Sequence, residues 1–276
     1  MPDIRIGTSA FTAAGWQGSF YPVDIKPADY LSYYATKFDT VELDNTFYRT
    51  PALSTVEGWN AKTPPGFLFT AKVPQLITHE RMLVDCDHDL NHFLKTMDAL
   101  GDKLGPLLFQ FGYFNQQAFQ RQADFLAILK PFLKKLPRDR QFALEIRNKH
   151  WLDARFLDVL RESKVAFALI DQSWVPRPWE LKNTFDLVTA DFTYVRWLGD
   201  RKGIEEQTKS WDKLRVGRSE DLANWVALFR QFVTKNLKTF AYANNHYAGH
   251  GPGTIKLFWE LWKQTENPFP REALLR

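Results

Sequence analysis

Cysteine is nearly missing from this chain. Cys86 is the only one among 276 residues, which excludes an internal disulfide and a cysteine-rich metal centre and suits a reducing compartment. No apolar run approaches the roughly 18 residues of a membrane-spanning helix. The opening MPDIRIGTS enters a strand directly, with neither a basic nor an apolar leader, so a cytoplasmic protein without membrane association is expected. Charge imbalance is also slight, with 36 Lys and Arg against 32 Asp and Glu. That leans mildly toward anionic partners but falls well short of a dedicated nucleic-acid binder. The chain has no GxSxG, P-loop, GxGxxG or HExxH pattern, which removes local support for serine hydrolase, NTPase, Rossmann dehydrogenase and zincin readings.

Aromatic side chains, by contrast, are plentiful, at 15% with ten Trp. Such a surplus over packing needs often lines a ligand cleft. Short apolar stretches alternate with helical patterns at spacings of roughly 30 residues, the βα rhythm of a closed parallel barrel. Strands are predicted at 4–8, 40–43, 67–72, 104–111, 141–147, 166–171, 192–197 and 239–244. Helices are predicted between them, among them one from Pro27 to about Lys37 and one capped by Ser54, with Glu57 at the capping-box spacing. The connection after the sixth strand is Pro-rich and irregular, and a long charged loop follows the seventh. No interior linker interrupts the rhythm, so residues 1–276 read as one α/β domain, a single (β/α)8 TIM-type barrel.

Alternation along the strands then sorts polar from apolar positions. Val41 and Leu43 share one parity and Glu42 takes the other. The same logic sends Phe69 and Ala71 outward with Lys72 inward, Phe109 outward with Gln110 inward, and Leu144 outward with Glu145 and Arg147 inward. It also sends Ala168 and Ile170 outward with Asp171 inward, and Val195 and Trp197 outward with Arg196 inward. Polar residues therefore gather at the carboxyl ends of six strands, the mouth where barrel enzymes keep their sites. An interior ion network with no chemical task is the competing explanation, although burying six charges costs several kcal/mol each unless they are well paired.

Glu42, Glu145 and Asp171 are the acid/base candidates, because crowding in a partly dry mouth displaces a carboxyl toward neutrality. Lys72 joins them as a catalytic candidate, either as an ion-pair partner or as a Schiff-base amine. Arg147 and Arg196 would clamp an anionic group, and Gln110, Asn45, Tyr48 and Trp151 would contact the substrate. Trp16, Phe47, Tyr48, Trp151 and Trp174 could stack on a sugar face or a base, and packing accounts for each at least as well. The turn NNHYAGHGPGT opens the last helix and reads equally as a phosphate cradle, offering Asn244, Asn245, His246 and Gly251, or as an ordinary Gly-rich turn with His246 and His250 solvated. No cofactor is predicted. A divalent metal on Glu42, Glu145, Asp171, His79 and His246 stays open, against the repulsion of Lys72, Arg147 and Arg196.

Several stretches carry a family likeness: IGTSAF (6–11), Trp16, FYP (20–22), FDTVELDNTFYR (38–49), FLFTAKVP (67–74), THE (78–80), LGPLLFQF (104–111), ALEIRNKHW (143–151), YVRWLG (194–199) and NNHYAGHGPG (244–253). On these residues the chain resembles the YecE-like proteins, a bacterial and archaeal family catalogued as a domain of unknown function. The resemblance implies a TIM-like barrel and brings no established reaction. The chain departs from the family's pattern at Ala10, Leu198 and Gly112 to Phe114, so a site built on a seventh-strand histidine does not carry over. At the level of fold it is distantly similar to metal-dependent barrels of the xylose isomerase and endonuclease IV type.

The leading functional expectation is a metal-independent barrel enzyme acting on a small anionic substrate, phosphorylated or sugar-like. Its rivals are a metal-dependent phosphoesterase acting on nucleic acid and a non-catalytic binding protein. The sequence does not determine the oligomeric state.

Overall fold

The structure is a computed structural model that describes residues 3–266. Its eight parallel strands are β1 (Ile4–Thr8), β2 (Thr40–Leu43), β3 (Leu68–Lys72), β4 (Leu104–Gln110), β5 (Phe142–Glu145), β6 (Ala166–Gln172), β7 (Phe192–Gly199) and β8 (Lys238–Ala243). They are hydrogen-bonded in the order β1-β8-β7-β6-β5-β4-β3-β2, the circular neighbourhood of a (β/α)8 barrel. The helices outside it are α1 (Tyr30–Tyr34), α2 (Leu53–Ala61), α3 (Asp87–Met97), α4 (Gln122–Lys135), α5 (Ala154–Ser163), α6 (Pro178–Leu181), α7 (Arg201–Gln207), α8 (Ser219–Thr234), α9 (Asn245–Ala248) and α10 (Gly251–Glu266).

The barrel is closed at its seam by a side chain. β1 and β2 stand next to each other, with no ladder between them among the described residues. The buried Tyr34 hydroxyl fills that place: it accepts a hydrogen bond from Thr8 N at 2.8 Å and lies 3.2 Å from Thr40 O as donor. Gly7 makes the approach feasible, because a Cβ there would lie 2.0 Å from Thr40 O. A bare backbone is the only solution at that distance.

Two apolar clusters follow from strand alternation. Phe69, Phe109, Leu144, Phe167, Val195 and Trp197 belong to the large cluster between strands and helices. Leu68, Leu108, Ala143, Ala166, Ala168, Phe192, Tyr194, Phe240 and Tyr242 fill the barrel. Above this floor comes a hydroxyl layer, in which Thr40 meets Tyr242 at 2.8 Å and Thr70 meets Tyr194 at 3.0 Å. Polarity thus rises step by step toward the carboxyl ends.

The helices differ in how they start. Asp153 caps α5 by accepting from Phe156 N at 3.0 Å. Ser54 does not cap α2: after Pro51 the chain is extended at Ala52, the helix starts at Leu53, and Ser54 already lies in its first turn. The first helix is shorter than its pattern, a 3-10 turn at Pro27–Asp29 followed by α1. The loop after β7 contains α7.

Candidate active site

The mouth is organised around one buried guanidinium. Arg196, on β7, donates through Nε to both carboxylate oxygens of Glu42 at 3.1 and 2.9 Å and through Nη2 to Glu42 Oε1 at 2.8 Å. Its Nη1 donates to Glu145 Oε2 at 2.6 Å, and Nη2 lies 3.4 Å from Asp44 Oδ1. The Tyr194 hydroxyl, one strand layer below, donates to Glu42 Oε2 at 2.6 Å. Arg147 Nε donates to the other oxygen of Glu145 at 3.0 Å. Lys72 Nζ sits 2.6 Å from Asp44 Oδ1 and lies over the Phe47 ring at 5.5 Å. Three acids and three bases from β2, β3, β5, β7 and the loops just beyond them form one continuous network.

Burial and charge act against each other here. Burial alone would raise the Glu145 carboxyl, but Arg196, Arg147 and Lys72 overcome it and hold the group at about 2. Glu42 moves the other way: burial dominates and, helped by the negative charge of Asp44, raises it despite Arg196 and Lys72. Burial works against the Arg196 cation, yet Glu42, Glu145 and Asp44 more than compensate and drive its proton affinity well up. The expected drift of carboxyls toward neutrality therefore holds for Glu42 and fails for Glu145. The divergence has chemical meaning, since two carboxyls pushed apart are suited to different proton-transfer roles.

Arg196 as an anion clamp needs correction, because each of its nitrogens is already engaged by Glu42, Glu145 or Asp44. Arg147 is different: only its Nε is committed, its two terminal nitrogens have no protein partner among the described residues, and its side chain is 23% exposed. Gln110, at the end of β4, is directly registered with Glu145.

Asp171 is not in the mouth. It registers with Trp197, which faces the helices, and its Oδ2 accepts from Trp225 Nε1 at 2.8 Å and the Tyr247 hydroxyl at 2.9 Å. Arg177 Nη1 stands 2.9 Å from Oδ1. Strand β6, AFALIDQ, is apolar on both parities, so alternation carried no signal there. The parity expected for β6 is reversed: Ala166 and Ala168 face inward, while Phe167 and Leu169 face the helices.

Of the two readings of the NNHYAGHGPGT turn, a phosphate cradle and an ordinary Gly-rich turn, the hydrogen bonds fit the second. Asn244 Oδ1 accepts from His246 N at 3.0 Å, Asn245 Oδ1 accepts from Gly251 N at 2.8 Å and Trp16 Nε1 at 3.1 Å, and Gly253 N donates to His250 Nδ1 at 3.2 Å. The amides that would receive a phosphate are capped by neighbouring side chains. His246 Nε2 pairs with Glu205 at 2.9 Å. Trp151 stacks in a packed aromatic group with Phe114 and Phe125. Asn45 is exposed and lines a cleft of about 550 Å3 with Arg49 and His92, and Tyr48 is exposed at the rim. A groove of about 700 Å3 between β1, the segment 35–39 that follows α1, and α10 involves none of the mouth charges.

Two contributors escape the strand pattern. Asp44 lies one residue past β2 and anchors Lys72. His79 stands close enough to feel Arg147, Lys72 and Glu145. Among the described residues no group of three or more His, Cys, Asp or Glu is placed to hold a metal ion. Each acid of the mouth faces a cation instead, so the donor set does not fit a metal. Among the described residues no helix is long and apolar enough to cross a membrane.

Fold and mouth together define a TIM barrel with a charged carboxyl-terminal site. Residues 5–274 match the model for "Protein of unknown function DUF72", and the chain belongs to that family. It is similar to the UPF0759 protein YunF of Bacillus subtilis (strain 168), at 25% identity over 90% of this chain and 92% of YunF. The UPF0759 protein YecE of Escherichia coli (strain K12) is 31% identical over 122 residues, 43% of this chain. The aligned part spans 41% of YecE's length. The crystal structure of a DUF72 family protein from Thermotoga maritima MSB8 superposes with a TM-score of 0.71 at 24% identity, covering 95% of this chain and 98% of that one. A DUF72 family protein from Enterococcus faecalis V583 gives 0.69 at 20% identity, covering 94% and 95%.

Proposed function

We propose that the barrel mouth is the active site of a metal-independent enzyme acting on a small anionic substrate, phosphorylated or sugar-like. The reading rests on Arg147: its Nε is fixed by Glu145 while its terminal nitrogens have no protein partner among the described residues and the side chain is partly exposed. A guanidinium so fixed presents a fork pre-set for a carboxylate or phosphate. Lys72 adds a second positive charge, Glu145 stays ionised and keeps Arg147 oriented, and Glu42 is the carboxyl with raised proton affinity. Asp171 has no part in this assignment, because it faces the helices.

A thermal-shift screen of a metabolite library, followed by product analysis of each hit, tests the reading. Anionic hits whose stabilisation disappears in Arg147→Gln, with product formed by the unmodified protein, support it. Stabilisation without product makes the mouth a binding site. A steep salt dependence of oligonucleotide binding, or a stoichiometric divalent metal in elemental analysis, turns the assignment toward a nucleic-acid phosphoesterase.

A further inference from the structure

His79 reaches the mouth on an unusual backbone. Leu76–Glu80 forms a π-helical turn, and Met82, Leu83 and Asp85 follow with φ of 46°, 68° and 48°. Left-handed backbone carries a steric cost for residues with a side chain. Of the five such non-glycine residues in the described chain, three fall within these four positions. Strain of this kind and π-turns both concentrate where a side chain must be held in place for function.

The turn fixes the ring of His79. Buried Thr78 places its Oγ1 2.8 Å from Nδ1, and Phe47 meets the ring edge-on at 5.1 Å. The same Phe47 ring lies under Lys72. Nε2 faces the end of β4, where Gly112 leaves room: a Cβ there would come within 3.3 Å of it. Nε2 has no protein partner among the described residues. Burial lowers the proton affinity of the imidazole, Arg147 and Lys72 lower it further, and Glu145 and Glu80 oppose them less strongly.

Resting on the reading of the mouth as an anion site, we propose that His79 is its proton-exchanging group and that anion binding is linked to protonation of Nε2. An anion on Arg147 and Lys72 offsets the positive field that, after burial, lowers the proton affinity of the ring. In the step this allows, the Nε2 lone pair takes a proton from an O–H or C–H of the substrate. The electron pair of the broken bond stays on the substrate, and the imidazolium then returns the proton to the substrate atom that has gained electrons. The step uses the tautomer in which Nδ1–H donates to Thr78 Oγ1, 2.8 Å away.

Linkage makes the claim measurable without knowing the reaction, because anion and proton must each tighten the binding of the other by the same factor. Sulfate is the probe, since its charge is constant across the pH range. The readouts are the NMR titration of the His79 imidazole, assigned with His79→Asn, and the Arg147 Nε–H signal as the report of binding. Sulfate is expected to raise the His79 midpoint and to bind on the order of tenfold tighter below it than above, the effect of one unit charge at intermediate dielectric. Arg147→Gln should remove both effects, while His79→Asn should keep binding and lose its pH dependence. If sulfate moves the Arg147 signal but not the His79 midpoint, the linkage is wrong and the anion site stands. If sulfate leaves the Arg147 signal unmoved at every pH, the anion site itself is wrong.

Discussion

Arg196 and Glu42 meet across the barrel through three hydrogen bonds of 2.8 to 3.1 Å, and neither side chain is more than 1% exposed. Two ions so far from water are held by each other and by Glu145, Asp44 and Tyr194. A buried pair is costly to break because the remaining ion is left without compensation.

Arg196→Met is therefore expected to destabilise the protein by about 3 to 5 kcal/mol. Urea unfolding should show a lower midpoint with an unchanged slope. The double variant Arg196→Met/Glu42→Met should recover part of that loss, since it removes the stranded carboxylate. A double variant no more stable than the single one would show that Glu42 is comfortable alone.

Glu145 sets a pH dependence whose sign can be worked out. Its folded value, about 2, lies below the ordinary 4.5, so between the two values the unfolded chain binds more protons. The stabilisation is full above about 4.5 and fades as pH falls toward about 2, with a size of about 3 kcal/mol. Glu42, raised on folding, works in the opposite direction, its ionisation weighing against the fold as pH rises. The stability difference between the native protein and Glu145→Gln should thus shrink on acidification, as measured by denaturant unfolding at a series of pH values. A difference constant from neutrality to strong acid would contradict the assignment.

Much of this site was legible because alternation is a strict geometric rule wherever a strand has one apolar parity. TVEL, LFTAK and FALE each oppose bulky apolar residues to a charge, and Glu42, Lys72 and Glu145 all face the mouth as that pattern requires. AFALIDQ has no such contrast. The usable signal there was size: the crowded barrel interior takes Ala166 and Ala168, while Phe167 and Leu169 fill the wider space under the helices. Arg196 was placed correctly but its role was not, since sequence cannot count how many donors its neighbours consume. Nor does periodicity reach His79, which is positioned by a π-helical turn.

Tyr34 makes the seam testable. Tyr34→Phe keeps the ring but leaves the buried Thr8 N–H without its acceptor. An expected loss of about 1 to 3 kcal/mol follows from stranding a buried polar group. Hydrogen exchange at Thr8 should accelerate more than exchange in the middle of β7, where the ladder is intact on both sides. Uniform acceleration would mean that the hydroxyl does nothing local at the seam.

Asp171 separates packing from chemistry. Its carboxylate receives the Trp225 indole N–H and the Tyr247 hydroxyl, tying β6 to α8 and α9 on the outside of the barrel. Asp171→Ala leaves both buried donors unpaired and removes the counter-ion of Arg177. A stability loss of about 1 to 3 kcal/mol is expected. Anion affinity at the mouth should stay within about twofold at temperatures where both proteins are folded, because no bond connects Asp171 to Arg147 or Lys72. Calorimetric titration of sulfate into both proteins makes the comparison. A large loss of affinity in the folded variant would return Asp171 to the site.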